Sequence, residues 1–208
     1  MEDVLSVYQF PYDPDYPVIC MDEASRQLIG EITHPLPRGA GQPRKVDYEY
    51  VRNGVCNQLV VCEPLRGWRR VQLRERRTKK DWARCIRELV EVHYPQARKI
   101  RLVLDNLNTH AGGSLYETFP AAQARWLAER LEFHYTPKHA SWLNMAEIEI
   151  RILSQQCLDR RIESMEQMEA EVGAWERTRN AKQARIHWTF TVATARHKMK
   201  KVYPSIEG

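Results

Sequence analysis

Three acidic side chains stand where the sequence predicts the end of a strand or the start of a helix. Asp22 ends the apolar run Val18–Asp22, and Asp105 directly follows the apolar run Ile100–Leu104. Glu147 lies in the first turn of a helix predicted after a later strand. Because the active groups of open α/β sheets collect at strand ends, we expect these three carboxylates to meet in the folded chain.

Carboxylates gathered in this way repel one another, so they are stable together only when protonated or neutralised by cations. Oxygen ligands favour Mg²⁺ or Mn²⁺ over zinc. Two such ions about 3.5–4 Å apart can hold the attacking and leaving oxygens of an in-line phosphoryl displacement. The pattern therefore predicts a site for two divalent cations, ligated by Asp22, Asp105 and Glu147, and the cleavage and re-joining of phosphodiesters.

The third ligand is the most ambiguous, because Glu147 and Glu149 are near neighbours on the same predicted helix. Two residues apart, they point about 200° away from each other, so only one can face a given site. Glu149 falls inside the apolar arc that includes Ile148 and Ile152, so it is either buried with a basic partner or itself the ligand. Spacing alone leaves the choice between them open, although Glu147 would also complete a capping box with Asn144 as N-cap.

A strongly basic segment runs from Arg66 to Arg87, where ten basic residues face only two acids, Glu75 and Asp81. The whole chain carries a net charge of +5 and has a pI near 9.0, which favours a polyanionic partner. Such a run is either a solvated face or a surface that contacts nucleic-acid phosphates. The residues predicted to contact DNA are Arg69, Arg70, Arg74, Arg76, Arg77, Lys79 and Lys80.

Length and composition exclude several classes of protein. The chain has 208 residues, 43% of them apolar, which predicts a single globular domain over residues 1–208 and not a disordered chain. No run approaches the roughly 18 apolar residues of a membrane span, and the N-terminus lacks the pattern of a signal peptide. The five cysteines are odd in number and show no C-x-x-C spacing, so we expect reduced thiols in a cytoplasmic protein.

The elements that must position the acids form a mixed α/β pattern, with strands first and helices later. Asn53-Gly54 and Pro64–Gly67 are predicted turns between antiparallel strands, and Thr78 is a predicted N-cap. The predicted strands are Val18–Asp22, Gln27–His34, Tyr48–Arg52, Val55–Glu63, Trp68–Leu73, Ile100–Leu104 and Leu131–Tyr135. The predicted helices run from Thr78 to near Pro95 and over residues 121–130, 145–157, 164–182 and 189–202.

Three blocks in this order resemble a known family. Met21–Glu23, Val103–His110 and Thr136–Glu149 are similar to motifs of the bacterial insertion-sequence transposases of the six-thirty group, which are mariner-related members of the DDE superfamily. The resemblance extends from about Pro11 to Pro204.

This resemblance implies a ribonuclease-H-like mixed five-stranded sheet flanked by helices, with extra helices at the C-terminus. It also implies Mg²⁺-dependent cutting and joining of double-stranded DNA at terminal inverted repeats, by a homo-oligomer in the bacterial cytoplasm or nucleoid. It assigns the catalytic roles to Asp22, Asp105 and Glu147, with Asn106 and His110 as supporting residues.

The chain departs from the family pattern in three respects. The 41 residues between Asp105 and Glu147 make a longer gap than in many relatives, and Met145 replaces a frequent proline. The first acid already stands at position 22, so we expect the helix-turn-helix module of a complete transposase to be absent or supplied by an N-terminal partner chain. Two other interpretations stay open: a silent remnant that binds DNA or a full-length transposase as an inhibitor, and a ribonuclease-H-like nuclease that cuts without joining ends.

Overall fold

The computed structural model describes residues 1–32, 48–105 and 112–200, and it contains a mixed five-stranded sheet. The strands are β1 (Val18–Glu31), β2 (Tyr50–Glu63), β3 (Trp68–Arg74), β4 (Ile100–Leu104) and β5 (Leu131–Tyr135). Their order in the sheet is β3-β2-β1-β4-β5. The first three strands are antiparallel, whereas β4 and β5 run parallel to β1. This is the α/β architecture that the sequence predicted.

Helices cover both faces of the sheet. They are α1 (Glu2–Val7), α2 (Lys79–Glu88), α3 (Gly113–Tyr116), α4 (Ala121–Glu129), α5 (Ala146–Gln156), α6 (Met165–Ala181) and α7 (Val192–Lys198). A π-helical turn, Leu89–His93, extends α2 toward Pro95, and Thr78 caps α2 by accepting a hydrogen bond from the Asp81 amide, as predicted. The short helix α1 was not predicted, because six residues are too few to show a helical period.

Alternation along β1 divides the core between the two faces of the sheet. Ile19 and Met21 join a buried cluster with side chains of α2, α3 and α4. Val18 and Cys20 join a second cluster with α1, α7 and the start of α5. A third cluster packs α5 and α6 over Val60 and other side chains of the antiparallel strands. Asp22, in step with Cys20, thus lies on the side of the sheet where α5 begins.

The predicted break after Asp22 is wrong, because β1 is one continuous strand of 14 residues. It pairs with β2 from Cys20 to Glu31, and this long antiparallel ladder continues well past the carboxylate. What ends near Asp22 is the parallel pairing with β4, whose last pair is Cys20 with Val103. The predicted strand end therefore coincides with the end of the β1–β4 pairing, whereas β1 itself continues to Glu31.

The predicted hairpin at Asn53-Gly54 is also wrong, because both residues lie inside β2 at a β-bulge. The register with β1 shifts between the pairs Gln27–Val55 and Ile29–Arg52. Gly54 has a φ of +111°, and positive φ serves a bulge as well as it serves a tight turn. The local sequence therefore predicted the positive φ of Gly54 correctly, but this conformation belongs to a bulge within β2 and not to a turn between two strands.

The predicted turn Pro64–Gly67 is confirmed and joins β2 to β3. Gly67 has a φ of +73°, and its amide donates to the Glu63 carbonyl at 2.9 Å. A Cβ atom at this position would lie 2.4 Å from the backbone of Gln183, so the close approach of the chain after α6 also requires glycine.

All five cysteines are buried and unbridged, as expected for reduced thiols. Across the described ranges, the helices are too short or too polar to cross a membrane.

Candidate active site

The first two predicted acids belong to neighbouring parts of the sheet: Asp22 lies within β1, and Asp105 directly follows β4. Val18 of β1 pairs with Arg101 of β4, and Cys20 pairs with Val103. The same register, continued by two residues, places Asp22 beside Asp105 on the side of the sheet that carries Cys20. Neighbouring strands are about 4.8 Å apart, so the two carboxylates share one short stretch of the sheet.

Hydrogen bonds orient the Asp22 carboxylate, which is only 7% exposed. Its Oδ1 accepts the backbone N–H of Glu23 at 2.7 Å, and its Oδ2 accepts Nδ2 of Asn144 at 3.4 Å. The same Nδ2 donates to the Met21 carbonyl at 2.7 Å. Asn144 itself is fully buried, so the segment just before α5 is joined to β1 at the acid.

The first turn of α5 presents Glu147, which is partly exposed. A short 3₁₀ turn, Ser141–Leu143, leads into Asn144, whose Oδ1 accepts the Ala146 N–H at 3.1 Å. Among the described residues, none forms a hydrogen bond or an ion pair with the Glu147 carboxylate. This acid thus stands at the helix end that is fastened to Asp22.

The predicted capping box is wrong, because α5 begins one residue later than expected. Met145 occupies the N-cap position and provides no side-chain cap. The N–H of Asn144 donates to the Ser141 carbonyl at 2.7 Å, so it is not available to the Glu147 side chain. Asn144 thus contributes an Asx turn before the helix and a bridge to the strand, and Glu147 keeps no capping role.

Glu149, the alternative third acid, is buried in what we call the ion centre, which it forms with Arg69 and Arg179. Its Oε1 lies 3.3 Å from the Arg69 guanidinium and 3.0 Å from that of Arg179. The Arg179 Nε also donates to Oε2 at 3.2 Å. The side chains of Glu149 and Arg69 are 0% and 1% exposed. Burial lowers the pKa of Arg69, and the Glu149 charge opposes that shift.

The ion centre explains why Glu149 lies within an apolar arc. Two guanidinium groups neutralise it inside the protein, which is one of the two alternatives that the sequence left open. Since helix geometry points the two glutamates in different directions, Glu147 lies outside the ion centre and is partly exposed.

The donors at the candidate site are all carboxylate oxygens, the type that Mg²⁺ and Mn²⁺ prefer. Within residues 1–32, 48–105 and 112–200, no cluster of three or more histidine, cysteine, aspartate or glutamate side chains has the geometry to hold a metal ion. Among these residues, the register of β1 and β4 leads to Asp22 and Asp105, and Asn144 ties the start of the Glu147 helix to β1, without a preformed three-carboxylate cage. Asn106 and His110, the predicted supporting residues, lie outside the described residues.

The basic segment differs from its prediction most clearly at Arg69. This side chain is buried in the ion centre and also donates to the carbonyls of Gly67 and Ala184. It cannot reach a DNA phosphate in this position, which corrects its place among the predicted DNA contacts.

Acids from distant parts of the chain neutralise several of the other basic residues. Arg70 lies 3.4 Å from a carboxylate oxygen of Glu176 and 3.4 Å from one of Glu88. Two further pairs are formed by Arg77 with Glu23 at 2.7 Å and by Lys79 with Glu117 at 2.8 Å. The local excess of positive charge is therefore much smaller in three dimensions than along the sequence.

Two exposed cations of the segment, Arg76 and Lys80, have no acidic partner among the residues that the structure describes. Within the described part of the chain, Arg74 donates only to neutral oxygens, those of Leu73 and Gln72. These three side chains thus retain their charge at the surface.

Sequence reasoning missed the contribution of Tyr8, which lies at the end of α1. Its hydroxyl donates to the Leu143 carbonyl at 2.8 Å and accepts the Met145 N–H at 3.4 Å. Burial, with the neighbouring Cys20, raises the pKa of this phenol, so it stays protonated as a donor. No local sequence pattern around Tyr8 predicts this contact, because its partners are more than 130 residues away.

Comparison with known proteins adds a family and a fold. The sequence profile described as DDE superfamily endonuclease matches residues 17–169. The structure is similar to that of the Mos1 mariner paired end complex with Mn, with a TM-score of 0.57 and 14% identity over 87% of this chain and 56% of that chain. A search of curated proteins found no match.

Two further Mos1 structures agree with this comparison. The Strand Transfer Complex gives a TM-score of 0.56 at 13% identity, covering 87% of this chain and 55% of that chain. The paired end complex with Mg gives 0.54 at 15% identity, covering 89% and 54%. This chain thus spans a little over half of the Mos1 chains, and the similarity establishes a ribonuclease-H-like fold.

Proposed function

The chain belongs to the DDE superfamily endonucleases, and on that premise we propose that it is the catalytic domain of a DNA transposase that cleaves and joins strands at transposon ends. The observation that supports the proposal is the parallel pairing of β1 with β4, which ends at Cys20 and Val103, two residues before Asp22 and Asp105. The segment before α5, the helix that bears Glu147, is hydrogen-bonded to β1 at Met21.

Asp22, Asp105 and Glu147 are the proposed ligands of Mg²⁺ or Mn²⁺, as one or two ions. When bound, such ions supply the positive charge that activates an attacking hydroxyl and stabilises a departing 3′ oxygen. Asp22 lies within β1 and Asp105 directly follows β4, whereas Glu147 lies at the start of a helix. The burial and hydrogen bonds of Asp22 hold its carboxylate in one orientation before substrate arrives.

Double-stranded DNA is the proposed substrate, and the charges left at the surface support this. Arg74, Arg76 and Lys80 are the proposed primary phosphate contacts, because none of them pairs with an acid in residues 1–32, 48–105 and 112–200. Arg70, Arg77 and Lys79 are paired with carboxylates, so each is expected to contribute less to phosphate binding. Phosphate contacts hold a duplex in place without reading its sequence.

We further propose membership of the bacterial six-thirty group and action as a homo-oligomer on paired transposon ends. Recognition of the terminal inverted repeats would then come from another segment or a partner chain. The three motif blocks quoted above support the group assignment.

The proposal is tested by plasmid nicking and strand transfer with the full chain in Mg²⁺ or Mn²⁺. We expect Asp22→Asn and Asp105→Asn to abolish both reactions, and Asp159→Asn, an exposed aspartate outside the site, to leave them intact. Nicking without joining would identify a simple nuclease. DNA binding without nicking would identify a silent remnant.

A further inference from the structure

Asn144 makes more specific contacts than a helix cap requires. It is 0% exposed, and both functional ends of its amide are engaged. Nδ2 donates to the Met21 carbonyl at 2.7 Å and to Asp22 Oδ2 at 3.4 Å, whereas Oδ1 accepts the Ala146 N–H at 3.1 Å. One side chain therefore contacts the strand, the first acid and the first residue of α5.

The backbone of Asn144 is also hydrogen-bonded. Its carbonyl accepts the Glu147 N–H at 3.1 Å, so the residue that carries the third acid is bonded directly to Asn144. Asp22 and Glu147 thus lie on either side of a single residue, each within one hydrogen bond of it. A shift of Asn144 would move both acids relative to each other.

The surrounding segment is held from a second side, which limits how Asn144 can move. Tyr8 bonds to the backbone of Leu143 and Met145 but does not bond to Asp22. Tyr8 therefore holds the backbone on both sides of Asn144, whereas the amide side chain of Asn144 contacts the acid itself.

We propose that Asn144 is a positioning residue that sets the distance and orientation between Asp22 and Glu147, and so determines how tightly the site binds a divalent cation. This inference rests on the proposed function, since it concerns the same site. Outer partners that orient ligands commonly contribute about 10–100-fold to metal affinity.

The two functions of the amide can be separated by substitution. In Asn144→Ser, the hydroxyl can still accept the Ala146 N–H, because serine forms the same kind of turn more weakly. It is too short to bridge to Met21 and Asp22. In Asn144→Ala, the turn and the bridge are both lost.

The matched control is Asn53→Ser. Asn53 also donates its Nδ2 to a backbone carbonyl, that of Glu163 at 2.9 Å, but it is exposed at the β-bulge. The same chemical change is therefore made away from the acids.

The experiment is titration calorimetry of Mn²⁺ into the full chain and its variants, with circular dichroism to establish that each is folded at the temperature used. We expect Asn144→Ser and Asn144→Ala both to weaken Mn²⁺ binding by at least about tenfold. Asn53→Ser should bind within twofold of the unaltered chain. If Asn144→Ala does not fold, the Mn²⁺ affinity of Asn144→Ser by itself tests the inference.

Two results would overturn the inference while leaving the proposed function intact. One is Mn²⁺ affinity unchanged in both Asn144 variants despite a lower thermal midpoint, which would make Asn144 a structural residue. The other is wild-type affinity in Asn144→Ser with a loss only in Asn144→Ala, which would assign the effect to the turn. Absence of saturable Mn²⁺ binding in the unaltered chain would instead overturn the proposed function, and the inference with it.

Discussion

Two glutamates in the first turn of α5 lie in opposite environments, one partly exposed and the other buried. Glu147 is partly exposed at the helix start, next to the strand that carries Asp22. Glu149 is 0% exposed and contacts two guanidinium groups. The comparison shows that an acidic residue in a helix has a structural role where the protein itself supplies the opposing charge.

The two regions also differ in what they connect. The ion centre links β3, α5 and α6 through Arg69, Glu149 and Arg179, so it sets how α5 packs on the sheet. The candidate site depends on that placement but consists of groups from β1, β4 and the first turn of α5. We therefore expect changes in the ion centre to affect folding, and changes at the candidate site to affect chemistry.

The largest expected effect is on stability. Glu149→Gln should lower the free energy of unfolding by about 3–5 kcal/mol, because it leaves buried guanidinium charge uncompensated. Glu147→Gln should change it by less than about 0.5 kcal/mol, as for an ordinary surface substitution. Urea unfolding followed by circular dichroism measures both. Equal losses in the two variants would contradict the contrast between the two environments.

The second expected effect is on catalysis, where Glu147→Gln should have the larger effect and Glu149→Gln the smaller one. Glu147→Gln should reduce metal-dependent nicking of a plasmid by at least about 100-fold, since even outer partners of metal ligands contribute 10–100-fold. Glu149→Gln should retain nicking at temperatures where circular dichroism shows it to be folded. Activity that survives in Glu147→Gln but disappears in folded Glu149→Gln would make Glu149 the third acid.

The smallest expected effect extends the comparison to the basic segment, where some charges are paired and others are not. Replacing Arg76 and Lys80 together by glutamine should reduce the slope of log K for DNA against log salt by about 2, one for each lost phosphate contact. Replacing Lys79, which pairs with Glu117, should change that slope by less. Fluorescence anisotropy with a labelled duplex measures it, and an unchanged slope in the double variant would remove this surface as a DNA contact.

Much of the fold could be predicted because its information is local. The apolar runs at Ile100–Leu104 and Leu131–Tyr135 are strands with the predicted bounds, and Thr78 caps its helix. Prediction failed where the same local backbone conformation can form either a turn or a β-bulge. The Asn53-Gly54 pair adopts the backbone expected of a turn but lies within a bulged strand, because the pairing of β2 with β1 continues through it.

The sequence alone identified the three acids that are proposed to do chemistry. The apolar runs that place Asp22 and Asp105 on neighbouring strands are short, and the first turn of α5 can be recognised without knowledge of the rest of the chain. Only the tertiary structure decided which charges are neutralised internally. Glu149, Glu176 and Glu117 meet Arg69, Arg70 and Lys79 across 38 to 106 residues of sequence. Coulombic attraction depends on distance in space, which no local pattern reports.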